Sequence, residues 1–346
     1  MSALTAPARP QDANLRPVPW RRMAWVTWRQ HRFALTGVAA LLGGLAVYMW
    51  RTGLELRHAH AAAIACHPAS SIPCSQLVSH FNGMNGFLAN GFILQAVPAL
   101  IGAFVGAPLL ARELETGTFR YAWTQGFGRW RWTLAKLLVL AVVVAAAAGA
   151  ISVLFSWYYR PYFSAGNQPL GLTEASKLAP GLFDLRGVAF AAWTLAAFAI
   201  GALAGMLIRR VVPAIAATLA AYAGLALAAG MFLRQHYLAP IVTSNLNVPG
   251  SAWIISQEWR GNGGHAVSQS VLGQVLQQGP PGLAGKGGVP QALGAWRYLV
   301  QHGYTRWTSY HPAGRFWPFQ WIEGGWLLAL SLLLLAATIW LVRRAT

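Results

Sequence analysis

About six long apolar runs govern what this chain can become, because each is long enough, or nearly so, to cross a lipid bilayer as a helix. A hydrocarbon core of about 30 Å takes roughly 20 helical residues at about 1.5 Å apiece. The runs are Phe33–Trp50, Phe87–Leu110, Thr133–Tyr158, Gly187–Ile208, Val212–Leu233 and Gly324–Val342. Backbone amides in lipid have no water to bond, so such runs close their hydrogen bonds within a helix. The expected fold class is an all-α integral membrane protein with about six transmembrane helices, an N-terminal amphipathic helix and a large outer loop before the last span. Composition agrees: charged residues make up 10% of the chain and hydrophobic residues 56%, whereas ordinary soluble domains are about a quarter charged.

Within the second run, Pro98 removes a backbone donor and predicts a kink, while Pro213 stands harmlessly at a helix start. The fourth and fifth runs carry Gly201, Ala204, Gly205, Ala217, Ala221 and Gly224, small residues that let helices approach closely. Only a few residues around Arg209-Arg210 join these two runs, which predicts a tight hairpin.

Orientation follows from the basic residues. Fifteen of the 26 lie in short segments before the first run, after the second and fourth, and after the sixth. Positive charge is retained on the cytoplasmic side of short loops, which predicts a multi-pass protein of the cell membrane with both termini cytoplasmic. The outer loops are then 51–86, 159–186 and 234–323. Residues 1–32 read as a cytoplasmic tail and interfacial helix, and 33–346 as the membrane domain. From Trp20 to Arg32, Trp20, Met23, Ala24, Thr27 and Trp28 share one helical side, and Arg21, Arg22, Arg29 and Arg32 the other. That is a helix lying on an anionic surface, with Trp20, Trp28 and Arg29 as anchors. Trp317 and Trp321 stand at the other interface, in the aromatic-rich stretch 315–323.

The net charge of +18 raises nucleic acid as a partner, but no binding module accompanies it. Anionic lipid headgroups are the expected counter-charge. Cys66 and Cys74 are the only cysteines, set among His58, His60, His67 and His80. A disulfide between them is allowed if the stretch faces an oxidising compartment; two free thiols is the other reading, and the sequence leaves both open. No ligand spacing supports a zinc site, so no metal is expected. The first run is followed by Ala63-Ile64-Ala65-Cys66, faintly like a lipoprotein cleavage site, yet the cysteine lies too far beyond it. A retained helix is expected.

The segment 111–132 carries two of the eight acidic residues, Glu113 and Glu115, just where the chain leaves the bilayer. Gly117 can end that helix, and Thr116 or Thr118 can cap another. Phe119 to Thr124, with Arg120, Tyr121 and Trp123, is long enough for a short helix before Gly126 and Gly128. Such a knob between two spans can press on a partner and pass movement to both helices.

Glu-x-Glu-x-Gly-Thr at a membrane exit, then a short helix, then Arg129 and Lys136 entering the next span, resembles the permease subunit of type 2 ATP-binding-cassette exporters. Trp28-Arg29-Gln30-His31-Arg32 and the stretch from Arg315 to Glu323 resemble actinobacterial members. Where many members carry Pro-(Val/Ile)-(Ser/Thr), this chain has Gln125-Gly126-Phe127-Gly128. The resemblance implies a coupling helix at Phe119–Thr124, seated in a groove of a separate ATPase subunit that binds the ATP and magnesium. It further implies that Glu113, Glu115, Gly117 and Thr118 transmit nucleotide state, and that the permease works as a homodimer or a pair. Pairing of the glutamates with Arg112 or Arg120 would add to that coupling.

No cofactor and no catalytic activity are expected of this chain. Gly282-Leu283-Ala284-Gly285-Lys286-Gly287 looks like a phosphate loop, but Pro280 stands where its first glycine belongs and Gly287 where Ser or Thr should be. The runs hold almost no ionisable residues, which argues against intramembrane chemistry or an ion-driven transporter. Glu323 is expected at the outer edge of the last span, paired with Arg315. A non-transporting membrane sensor or scaffold is the alternative function.

Overall fold

The computed structural model describes residues 20–68, 71–84, 87–117, 129–163, 172, 174–245, 248–280 and 289–344. Helix α1 (Trp20–Ala65) runs unbroken through the basic stretch and the first apolar run, and α2 (Ile72–Gly83) packs against it. Next, α3 (Phe87–Ile101) continues through a π turn at Gly102–Gly106 into α4 (Ala107–Glu115). The long helix α5 (Arg129–Phe163) is followed by α6 (Gly187–Ile208) and α7 (Val211–Ala228). A second π turn, Ala229–Leu233, and a 3-10 turn, Arg234–His236, end α7. The chain then forms β1 (Ile241–Thr243), β2 (Trp253–Arg260), β3 (Ala266–Val267), α8 (Gln269–Gln277), α9 (Val289–Gln301) and β4 (Thr305–His311). Last comes α10 (Phe316–Arg344).

Among the described residues, five helices are long and apolar enough to cross a membrane: Leu94–Glu115, Trp130–Phe163, Gly187–Ile208, Val211–His236 and Ala313–Arg344. The remaining expected crossing, the first run Phe33–Trp50, falls in α1, whose side chains before Thr36 and at Val38 lie outside the described residues. Expected outer loops are partly helical. α1 extends to Ala65 and α2 fills much of 51–86, while α5 reaches Phe163.

Helix α6 and the helix running from Leu94 to Glu115 form the interior of the bundle. Buried residues make up 61% of the apolar window of α6 and 67% of that in Leu94–Glu115, against 11% for Val211–His236. Small residues make this possible. A Cβ on Gly106 would lie 2.6 Å from the Phe198 carbonyl oxygen, and one on Gly201 would strike that of Gly102. The π turn between Pro98 and Pro108 therefore meets α6 backbone to backbone. Its wider winding also stands just ahead of Pro108, whose ring would crowd the carbonyl four residues back in a regular helix. The tight hairpin between α6 and α7 is present, with Arg209 in the left-handed region at φ 58°.

The all-α expectation is corrected by a four-stranded antiparallel sheet in the order β1-β4-β2-β3. It lies within 234–323, the segment expected to be a loop. Ile254 pairs with Tyr310 and Ser256 with Ser309, so a bulge interrupts β2 between them. One end of the sheet rests on the helices: Trp253 and His311 both pack against Phe319 of α10.

Candidate functional site

Charged side chains are gathered at opposite ends of the helical bundle. At the end where α4 stops and α5 and α7 begin, Glu113 forms an ion pair with Lys136 of α5, whose side chain is 2% exposed. Among the described residues Glu113 takes Lys136 and not the expected Arg112, while Arg120 lies outside them. Lys136 wins because it lies on the neighbouring helix and is buried there, where a cation needs a counter-charge. Two residues on, Glu115 Oε2 accepts from the Val211 backbone N–H at 3.0 Å. That amide is the first of α7 and has no partner inside its own helix; a carboxylate there also meets the positive end of the helix dipole. Thr116 donates back to the Arg112 carbonyl at 2.8 Å, and Gly117 turns the chain at φ 70°. The end of α4 is thus tied by one carboxylate to α5 and by the other to α7. At this end too, the Arg343 guanidinium of α10 lies 4.4 Å from the ring centre of Trp130.

At the sheet end the polar groups are buried and share partners. Arg234 is 1% exposed and Glu323 fully buried. Arg234 donates through Nε to Glu323 Oε2 at 2.9 Å and through Nη2 to Oε1 at 2.7 Å. The same guanidinium pairs with both oxygens of Asp184. Glu323 also accepts from Trp193 Nε1 at 2.8 Å and from the Tyr237 hydroxyl at 3.1 Å, and Trp326 donates to Tyr237 at 2.9 Å. Gln320, one turn before Glu323, accepts from the Ala189 amide of α6 and donates to the Phe183 carbonyl. The second π turn delivers Arg234 into this cluster from a helix whose preceding residues, Met231, Phe232 and Leu233, are exposed.

Glu323 is therefore buried and paired with Arg234, not with the expected Arg315. Arg315 instead donates to the Ala239 carbonyl at 2.6 Å and to His311 Nδ1 at 2.8 Å. His311, fully buried, has its Nε2 3.2 Å from the Gln235 carbonyl. The neutral imidazole with its proton on Nε2 satisfies both contacts. Burial holds its pKa below the usual histidine value, against the Gln235 bond, and the Arg315 charge lowers it further.

Cys66 and Cys74 are joined in a disulfide, with Cα atoms 5.6 Å apart, that clips the end of α1 to the first turn of α2. Trp317 and Trp321 are 55% and 64% exposed on α10. Thr118, Phe119, Arg120, Tyr121 and Trp123 lie outside the described residues, as do the side chains of Trp20, Trp28 and Arg29 and the phosphate-loop look-alike at 281–288. Among the described residues, no group of His, Cys, Asp and Glu is arranged to hold a metal.

Asp184, Trp193, Arg234 and Tyr237 were not singled out by sequence reasoning. Arg234 directly follows an apolar run and Glu323 directly precedes one. A charge at such a boundary reads as interfacial. The available signal was that opposite charges flank two runs at what should be the same face.

A family model described as ABC-2 membrane transporter related matches residues 38–234. The match runs from α1 through both glutamates of α4 and stops at Arg234, so the sheet and α10 lie beyond it. No curated protein and no solved structure matches the chain. With more than half of its length matched and its helices fit to cross a membrane several times, the chain belongs to the ABC-2 membrane transporter related family.

Proposed function

We propose that this chain is the membrane-spanning permease subunit of an ATP-binding-cassette exporter, moving a hydrophobic or amphipathic cargo with ATP hydrolysed by a separate subunit. The observation that carries this reading is the pair of ties at the end of α4. Glu113 to Lys136 and Glu115 to the Val211 amide link the segment leading into residues 118–128 with two helices fit to cross the membrane. A push on that segment reaches α5 and α7 together, which is what a transporter driven from outside its own membrane domain requires. In this reading the end of the bundle bearing Glu113 is cytoplasmic, both termini lie there, and Phe119–Thr124 docks the ATPase. Two permeases pair, and the sparsely buried α7 offers a surface for that pairing or for lipid. Trp317 and Trp321 anchor the opposite interface.

Co-expression with an ATPase subunit from the same organism tests the assignment. The chain should copurify with it, and hydrophobic cargo candidates should stimulate ATP hydrolysis by the reconstituted complex. Stable association without stimulation by any such compound would favour a sensor or scaffold. Absence of association would remove the exporter reading.

A further inference from the structure

A cavity of about 420 Å3 lies between α3, α6 and α7, beneath the segment that leads into α6. Its walls include Pro98, Phe190, Trp193, Tyr222 and Leu227, and its acidic group is Asp184. Leu227 of α7, which lines the cavity, is itself 61% exposed. The volume falls in the range of small-molecule sites, about 300–1,000 Å3, and largely apolar walls with a few placed polar groups are what such sites show.

The charge balance around Asp184 decides what could enter. Two carboxylates, Asp184 and Glu323, share the single guanidinium of Arg234, so the cluster keeps one formal negative charge. Glu323 is sealed, with both oxygens bonded to Arg234, Trp193 and Tyr237. Asp184 remains 29% exposed and lines the cavity. Arg186 is close in sequence, but its Nε donates to Ser156 and its guanidinium lies 4.0 Å from the ring centre of Phe163 and 4.9 Å from that of Phe316. The excess charge is thus presented to the cavity and not into the protein. Trp193 and Tyr222, packed edge to face at 5.8 Å, line the same space. Aromatic rings beside a carboxylate attract a desolvated cation through both the ring quadrupole and the ion pair. An anion of equal shape meets repulsion from Asp184.

We infer that this cavity binds an amphipathic organic cation, its charge against Asp184 and its apolar body along Phe190, Trp193, Tyr222 and Leu227. The inference rests on the exporter reading only for calling that ligand cargo; the binding itself needs this chain alone.

The test is equilibrium dialysis on the purified chain in lipid nanodiscs, without any ATPase, with empty nanodiscs subtracted. Tetraphenylphosphonium and tetraphenylborate are compared because they share a shape and differ in sign. Saturable binding is expected for the cation, with at least tenfold weaker binding of the anion. Asp184→Asn should weaken the cation at least tenfold and narrow that preference. Ala226→Phe, which narrows the cavity without touching the ion cluster, should weaken cation binding while the chain stays monodisperse. Equal binding of the two ions, or unchanged cation affinity in a folded Asp184→Asn or Ala226→Phe variant, would overturn the inference. If Asp184→Asn does not fold, the ion comparison and Ala226→Phe still decide. Failure here leaves ATPase association untouched, and loss of that association leaves this binding untouched, so the two claims fall separately.

Discussion

The two ends of the bundle use carboxylates in opposite ways. At the α4 end, among the described residues, Glu113 reaches one helix and Glu115 another, from a half-buried and an exposed position. At the sheet end, Glu323 is fully buried and its two oxygens take bonds from Arg234, Trp193 and Tyr237. The Glu115 contact, near water, can break and re-form, because it exchanges a partner for solvent at a cost of about 1 kcal/mol or less. The Glu113 pair costs more to open, since Lys136 is buried, but its carboxylate keeps some solvent. A buried ion pair has no such exchange, and stripping one partner leaves a charge without water. The first arrangement suits a joint that moves; the second suits a pivot that holds α6, the end of α7 and α10 in register.

Glu323→Ala tests the pivot most severely. It strands Arg234 with Asp184 alone and leaves Trp193 Nε1 without its acceptor. A loss of about 3–5 kcal/mol is expected, read as a fall in unfolding midpoint in mild detergent. Glu323→Gln should lose less, because a side-chain oxygen still accepts from Trp193 or Tyr237. If both variants unfold like the parent, the contrast between the ends fails.

Glu113→Ala comes next. Lys136, 2% exposed, loses its counter-charge, and about 1–2 kcal/mol is expected, discounted because Glu113 keeps some solvent. In a complex with the ATPase, the same variant should lower cargo-stimulated hydrolysis more than basal hydrolysis. Glu115→Ala removes the cap on the first amide of α7, and less than about 1 kcal/mol of stability should go with it. A larger stability loss from Glu115→Ala than from Glu323→Ala would reverse the comparison.

The smallest effect belongs to pH. Since burial depresses the His311 pKa in the folded chain, the unfolded chain binds the extra proton first. The contribution of His311 is complete above the unfolded value of about 6.5 and is lost as pH falls below it. His311→Gln should flatten this acid limb of the stability profile in detergent.

Five of the expected crossings were legible as long apolar helices because apolar length is a local property; Gly187–Ile208 agrees residue for residue with α6. Gly201 and Gly205 announced a close helix contact, though not that α4 and the first π turn would supply it. The sheet was hidden for a physical reason. Its main pair, β2 with β4, joins strands about fifty residues apart, and the bulge near Ile254 interrupts the alternation that would mark β2. The sheet-end cluster was hidden likewise: Asp184, Arg234 and Glu323 come from three separate segments, and each alone reads as a charge at the edge of a membrane run. At the other end, Glu113 and Glu115 were singled out from sequence, but their partners Lys136 and Val211 depend on how three helices pack.

Accessibility of the α4 end tests the central claim most directly. With Cys66 and Cys74 paired and no free thiol elsewhere, a single Thr116→Cys substitution reports one position. A membrane-impermeant maleimide should label it in inverted vesicles and not in intact cells, and added ATPase subunit should protect it. Labelling in intact cells would place Glu113 and Glu115 outside and contradict the account.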